Sequence, residues 1–301
     1  MKASVIHQYG GPEVLKFEDY PDPTVGEGQV LVRVAATSIN PVDLGRRSGM
    51  MKDIFPIKFP GIIGLDVSGT IVKLGGAVKG FSVDEKVFAF ADYTYAELCA
   101  VSAASIAKIP PGLDVVEAAA LPTVVTTGHQ LITQAGIKSG QTILVSGAVG
   151  NVGRSAAHMA KSLGAVVIGG VLKKQLQQAA SLGLDQIIAT DDNDAIAKLP
   201  PLDAVANTVR SKIGEILLSK IKKGGVFASV VGPPANAKDF PFVRVVPVYS
   251  RPDPKALTEM ARAVVDKKFV IPIGRKLPLS SASEGHAAVE KGGIGKVLLM
   301  P

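Results

Sequence analysis

Three glycines set the first chemical expectation. They stand at three-residue spacing in Gly147-Ala148-Val149-Gly150-Asn151-Val152-Gly153. Glycine in such a segment permits a tight turn, brings backbone close to a ligand, and lets a helix lie close on a strand. A short apolar, β-branched run, Thr142 to Val145, precedes the turn. Helical pattern follows it, and a second apolar run occupies Ala165 to Val171. Strand, turn, helix, strand is a βαβ unit, whose helix N-terminus offers unpaired N–H groups and a positive dipole end to phosphates. The segment is therefore expected to bind the pyrophosphate of a dinucleotide. After the second run comes Val171-Leu172-Lys173-Lys174, with no Asp or Glu before Asp185. An acid there would accept from a ribose 2′-OH and repel a 2′-phosphate, whereas an ammonium attracts that phosphate as a point charge. NADPH is expected over NADH, with Lys173 or Lys174 on the 2′-phosphate.

The rest of the composition removes other chemistries. The single cysteine, Cys99, excludes an intrachain disulfide and a thiolate metal cluster. It lies in the alternating run Tyr95 to Val101 and reads as a small strand residue. The four histidines, His7, His129, His158 and His286, are scattered, with none at i, i+4 spacing, so no metal site is expected. The net charge of +7 is spread along the chain, with short clusters at Lys220/Lys222/Lys223 and Lys267/Lys268. No nucleic-acid-binding motif accompanies it, so a modest attraction for anionic ligands is the expectation. No apolar run approaches the roughly 20 residues that span a bilayer, and no signal-like segment opens the chain. A soluble, cytoplasmic protein with no membrane partner is expected.

With 301 residues, 47% of them hydrophobic and 20% charged, an α/β protein of two domains is expected. Short strands punctuated by Gly and Pro fill the first hundred residues: Ala3 to His7, Val14 to Phe17, Gln29 to Ala35, Val67 to Leu74, Lys86 to Ala89, Tyr95 to Val101 and Ile106 to Ile109. A polar segment, Ser38 to Gly49, interrupts them, and Pro41 suits the first turn of a short helix there. After Pro110-Pro111-Gly112 the pattern becomes helical, with Pro122 ending or kinking one helix. Beyond the glycine turn, strands at Gln186 to Ala189, Ala204 to Ala206 and Val226 to Val231 alternate with helices, among them Lys212 to Ile221. That alternation argues for a doubly wound parallel sheet. Helix Pro254 to Lys267, a turn and helix over Leu277 to Val289, and strand Lys296 to Met300 close the chain.

Together these residues resemble a known family. The carriers are Asn40-Pro41-Val42-Asp43 with Arg47 and Gly49, then Phe59-Pro60-Gly61-Ile62-Ile63-Gly64-Leu65-Asp66-Val67-Ser68-Gly69. They continue through Tyr95-Ala96-Glu97, Glu117-Ala118-Ala119-Ala120-Leu121-Pro122, Val145 to Gly153, and the closing Gly295-Lys296-Val297-Leu298-Leu299. Over nearly its whole length the chain resembles a zinc-free medium-chain dehydrogenase/reductase of the quinone oxidoreductase (zeta-crystallin) type. The resemblance implies a GroES-like, β-rich catalytic domain over residues 1–115, completed by 268–301. It also implies a central Rossmann domain over 116–267, with the cofactor in the cleft between the two. Further cofactor contacts implied by matching positions are Thr126, Val231-Gly232 and Val246-Pro247. A homodimer through an edge strand of the Rossmann sheet is implied as well, with Phe242 to Tyr249 the candidate strand. The chain departs from the family's pattern at Val83-Asp84, where Gly-Asp is usual, at Asn207, where an acid is usual, and in its shorter length.

The implied reaction is hydride transfer from NADPH to a quinone or an α,β-unsaturated carbonyl compound. Without zinc, the developing oxyanion must be met by hydrogen-bond donors or water. By resemblance Asn40 and Asp43 lie near the nicotinamide and Arg47 holds their loop. Asn40 can donate through its amide, and Tyr93 is a second candidate through its phenol. The bland alternative is that Asn40 and Asp43 only cap a turn. Two other functions compete: enoyl reduction within the same superfamily, and an NADPH-binding protein with little turnover that binds RNA through its positive charge.

Overall fold

The computed structural model describes residues 1–301, which form two compact units, Met1–Thr123 with Pro252–Pro301, and Val124–Arg251. The family resemblance implies divisions at 115/116 and 267/268. The difference lies in two helices. Val115–Ala118 packs on strands Gln29–Ile39 and Asp66–Leu74, and Pro254–Val265 packs on strand Ile106–Lys108.

In the first unit the eleven-residue strand Gln29–Ile39 carries most of the pairing. It runs antiparallel to Asp66–Leu74, to Leu98–Ser102 and to Lys296–Met300. Its alternate residues Val30, Val32 and Val34 enter a core with Val67, Ile71 and Val101, as the two-residue repeat of a strand requires. Strands Lys86–Phe90 and Ile106–Lys108 extend one side of this seven-stranded sheet, and Ile273–Pro278 the other. A separate three-stranded sheet joins Leu15–Asp19, Lys2–Ile6 and Gly61–Ile62. Strand register gathers the polar residues. Val297 lies opposite Ile39, and Ser68 opposite Ala36. The residue after one strand (Asn40) and the first residues of its two antiparallel neighbours (Lys296 and Asp66) are thereby drawn to one end of the sheet.

The second unit is a six-stranded, wholly parallel sheet in the order 186–189, 166–171, 142–146, 202–207, 221–229, 244–247. The order reverses at strand Thr142–Ser146, whose two neighbours lead away to either side. Such a reversal opens a crevice beyond the carboxyl ends of the strands. Both faces are covered. Ile143 and Val145 join one core with Leu131, Ala156 and Ala160, while Leu144 joins another with Ile188, Leu217 and Phe227. The helix expected over Lys212 to Ile221 ends at Leu218, and the next strand already begins at Ile221. The pairing register shifts there: Leu202 lies opposite Ile221 and Ala204 opposite Val226, so Lys222 to Gly225 are extra residues that bulge from strand Ile221–Ser229.

Candidate functional site

The expected dinucleotide residues gather at the carboxyl edge of the parallel sheet. Gly147 leaves strand Thr142–Ser146 in the left-handed region (φ 66°), and its carbonyl accepts from the Gly150 N–H at 2.8 Å. Gly150 then caps helix Asn151–Ser162 without a side chain to accept from the first-turn N–H groups. Those donors stay available to an anion. The three glycines do different work. A Cβ on Gly153 would stand 2.2 Å from the Gly147 carbonyl oxygen, so the helix lies on the turn only because that atom is missing. At Gly150 a Cβ would meet only the Gly147 oxygen, at 3.1 Å, and φ is an ordinary −71°. Here the missing side chain leaves open space for a ligand. Ala148 is buried in a small cluster with Val171 and Ala179, and Val149 packs against that cluster. Asn151 and Val152 supply the first helical turn.

The neighbouring strand ends are latched by neutral groups. Ser146 Oγ donates to Asn207 Oδ1 at 2.7 Å, and Asn207 Nδ2 donates to Ser229 Oγ at 3.1 Å. An amide at 207 both accepts and donates in that chain, which an ionised acid cannot do. Val231 and Gly232 follow the strand that ends at Ser229, with Gly232 in the left-handed region (φ 92°). Val246 and Pro247 pair with Ala228 and Ser229 on the edge strand. Thr126, on helix Pro122–Ala135, is buried, and its Oγ1 has no partner within the protein. An uncapped helix N-terminus, a cradle that a Cβ at Gly150 would fill and an orphaned hydroxyl together fit a dinucleotide.

Lys173 and Lys174 are exposed at the end of strand Val166–Val171. The structure adds a residue that the sequence pattern did not single out: Asp191 Oδ1 accepts from the Lys173 N–H at 2.7 Å. Its strand, Gln186–Ala189, pairs in parallel with Val171 opposite Ala189, which places residue 191 beside residue 173. The signal lay in the strand order. Separation along the sequence hid it.

In the first unit a buried polar cluster forms where the strand ends meet. Lys296 Nζ lies 2.5 Å from Asn40 Oδ1 and 3.2 Å from Asp66 Oδ2, with the two charged side chains 2% and 0% exposed. Asn40 Nδ2 donates to Asp66 Oδ2 at 2.8 Å, the Thr123 N–H donates to Asp66 Oδ1 at 2.6 Å, and Ser38 Oγ donates to Asp66 Oδ2. The Asn40 side chain thus belongs to this network and not to the helix cap. Its second amide hydrogen meets only distant acceptors, Ser38 O and Thr123 Oγ1, both at 3.5 Å. Asp43 is the capping residue: at the third position of helix Pro41–Ser48, its Oδ2 accepts from the Asn40 N–H at 2.8 Å. Burial pushes the Asp43 carboxyl up to about 7, against the pull of that N–H. Tyr93 stands apart, 61% exposed with φ 64°, next to Asp92, which accepts from Arg46 at 2.7 Å.

Three further residues of the first unit meet Asp43 in series: Tyr95, His286 and Arg47. Burial drives the Tyr95 phenol well above its ordinary value, and burial with the Arg47 charge lowers His286 to about 3, so both are neutral in working conditions. Cys99 is buried in the strand core, and burial pushes its thiol up to about 12, which keeps it inert.

Comparison with known proteins identifies the two domains and the family. Residues 26–111 match the alcohol dehydrogenase GroES-like domain, and residues 182–299 match the zinc-binding dehydrogenase family. A chloroplast envelope quinone oxidoreductase homolog of Arabidopsis thaliana is 31% identical over all of this chain and 98% of its own length. An NADPH-dependent alkenal/one oxidoreductase, chloroplastic, from the same plant is 31% identical over all of this chain and 80% of its own. The structure of the quinone oxidoreductase from Coxiella burnetii superposes with a TM-score of 0.89 at 29% identity, covering 100% of this chain and 99% of that one. The cytoplasmic expectation is corrected by these relatives, since both plant proteins are named for the chloroplast. Composition could not separate the two compartments: no helix is long and apolar enough to cross a membrane, and that holds in either. With a GroES-like first unit, a Rossmann second unit and relatives matched from end to end, the chain belongs to the quinone oxidoreductase group of the medium-chain dehydrogenases/reductases.

Proposed function

We propose that the chain is an NADPH-dependent reductase that passes hydride to a quinone or an α,β-unsaturated carbonyl compound without zinc. The observation that carries this is the glycine turn, where the helix N-terminus is uncapped and space is kept at Gly150. Relatives named as quinone and NADPH-dependent alkenal/one oxidoreductases support it. Bound NADPH supplies the hydride. The turn Gly147–Gly153 holds its pyrophosphate, Thr126, Val231, Gly232, Val246 and Pro247 line its path, and Lys173 or Lys174 meets the 2′-phosphate. Asp191 beside Lys173 moderates that preference by charge repulsion. Asn40, held by Lys296 and Asp66, turns its weakly used amide hydrogen to the developing oxyanion, and Tyr93 offers a phenol to the acceptor. The zinc-free reading is supported by the donor set, because no three His, Cys, Asp or Glu side chains stand together at ligand spacing.

NADPH oxidation, followed at its own absorbance band against a panel of quinones and enones with NADH in parallel, tests the reading. The expected result is turnover with NADPH that exceeds turnover with NADH. Activity with enones alone would narrow the acceptor to α,β-unsaturated carbonyl compounds and favour the enoyl-reductase alternative over a quinone reductase. Tight NADPH binding without any turnover would sink the reductase in favour of a binding protein.

The same reading includes a homodimer through strand Arg244–Pro247. That strand forms one edge of the parallel sheet, and the exposed side chains of Phe242 and Tyr249 flank it. An uncovered edge of this kind invites strand pairing. Light scattering is expected to give twice the mass of one chain. A single-chain mass at micromolar concentration would remove the dimer.

A further inference from the structure

The first unit contains a hydrogen-bond chain that the reductase reading does not use. Glu290, with its side chain 42% exposed, accepts from Arg47 Nη2 at 2.6 Å. Arg47 Nη1 lies 3.1 Å from His286 Nδ1, and His286 Nε2 lies 3.1 Å from Tyr95 Oη. Tyr95 donates to Asp43 Oδ2 at 3.3 Å. Each link has one possible direction. A guanidinium only donates, so His286 Nδ1 must accept, and a neutral imidazole then carries its hydrogen on Nε2. That hydrogen points at Tyr95 Oη, which leaves the phenolic O–H for Asp43. Oδ2 already takes the Asn40 N–H, while Oδ1 is buried with no partner at all.

We propose that Arg47, His286 and Tyr95 are positioning residues for Asp43: Arg47 Nη1, His286 Nε2 and Tyr95 Oη each donate to the next group toward its carboxylate, which fixes Oδ2 as the accepting oxygen and leaves Oδ1 as the one that takes a proton. The chain is not a proton path, because a guanidinium does not give up its proton and His286 Nδ1 can receive none from it. It is a row of fixed dipoles that favours the ionised carboxylate against burial. The other charges facing Asp43 are Arg46 on its own helix, Asp66 and Lys296 from the two strand starts, and, at the far end, Arg47 with Glu290. The neutral donors Asn40 N–H and Tyr95 O–H complete its surroundings. Near neutral pH, where burial has brought the Asp43 titration, small changes in this row alter the fraction of Asp43 that carries a proton.

The test is the titration midpoint of the Asp43 carboxyl carbon, read by carbon-13 NMR in the folded full-length protein. Tyr95→Phe removes only the donating hydroxyl, so folding is retained and the midpoint is expected to rise by about one pH unit. His286→Leu breaks the row one link earlier, and a smaller rise is expected. His286→Gln keeps an acceptor for Arg47 and a donor for Tyr95, so its midpoint is expected to match wild type. Unchanged midpoints in both Tyr95→Phe and His286→Leu would overturn the proposal, and so would a His286→Gln midpoint displaced as far as that of His286→Leu. The bearing on turnover rests on the reductase reading, and the two fail separately. If the midpoint moves while the pH profile of NADPH oxidation does not, the positioning stands and the protonation state of Asp43 has no part in turnover.

Discussion

Lys296→Met is expected to destabilise the first unit by about 3–5 kcal/mol, the loss typical of removing one partner from a buried ion pair. Methionine nearly preserves the length of the side chain, so the change is chiefly one of charge. Asp66 would remain wholly buried, still accepting from Ser38, Asn40 and the Thr123 N–H but facing no cation. Asn40 Oδ1 would lose its donor at the same time. Urea unfolding measures the loss, which belongs to the transition of the first unit. The double variant Lys296→Met/Asp66→Asn should be more stable than Lys296→Met alone, because a neutral amide leaves no uncompensated charge, and the full cycle with wild type and Asp66→Asn reports the coupling of the pair. A Lys296→Met protein within about 1 kcal/mol of wild type would show that Asp66 is held by its hydrogen bonds alone. The substitution should also free the Asn40 side chain to rotate and so lower turnover beyond what stability explains. Activity measured well below the unfolding transition separates the two effects.

What the sequence disclosed depended on whether the information was local. The glycine turn, the helix after it and the strands on either side occupy one continuous segment, so spacing and periodicity were enough. Strand Ile273–Pro278 was not anticipated, because Gly274, Arg275, Lys276 and Pro278 do not alternate as a half-buried strand should. It lies at the sheet edge, where charges and proline are tolerated. Lys222 to Gly225 looked like a loop for a similar reason, although the strand runs through it. The polar cluster was the least legible part. Asn40 and Lys296 are 256 residues apart, and only the register of two strands on Gln29–Ile39 brings them together. Asp66, Tyr95 and Lys296 were visible as parts of similar motifs, but nothing in those motifs told which atoms they would engage. Asn40 was expected as a free donor or a turn cap, yet most of its polar capacity is spent on Lys296 and Asp66.

Gly150→Val should leave the second unit folded and remove NADPH binding, whereas Gly153→Ala should weaken the unit itself. Gly150 has an ordinary backbone conformation and a single tight neighbour, so a valine there costs the free protein little. The new side chain instead fills the space in which a pyrophosphate would approach the helix N-terminus. A rise in the NADPH dissociation constant of at least about a hundredfold is expected, equivalent to about 2.7 kcal/mol. At Gly153 the added methyl meets the Gly147 carbonyl oxygen at 2.2 Å, and that atom is backbone, unable to swing aside. Helix and turn must part, at a cost of about 1–3 kcal/mol for overpacking. Melting curves with and without NADPH, together with titration of the cofactor, distinguish the two variants. Wild-type affinity in Gly150→Val would put the pyrophosphate somewhere other than this turn, and wild-type stability in Gly153→Ala would mean that the helix is free to shift. Two glycines three residues apart therefore answer to different pressures, one to the ligand and one to the packing of a helix on its own strand. A pattern match across the whole motif cannot separate those pressures, but the distances around each missing Cβ can.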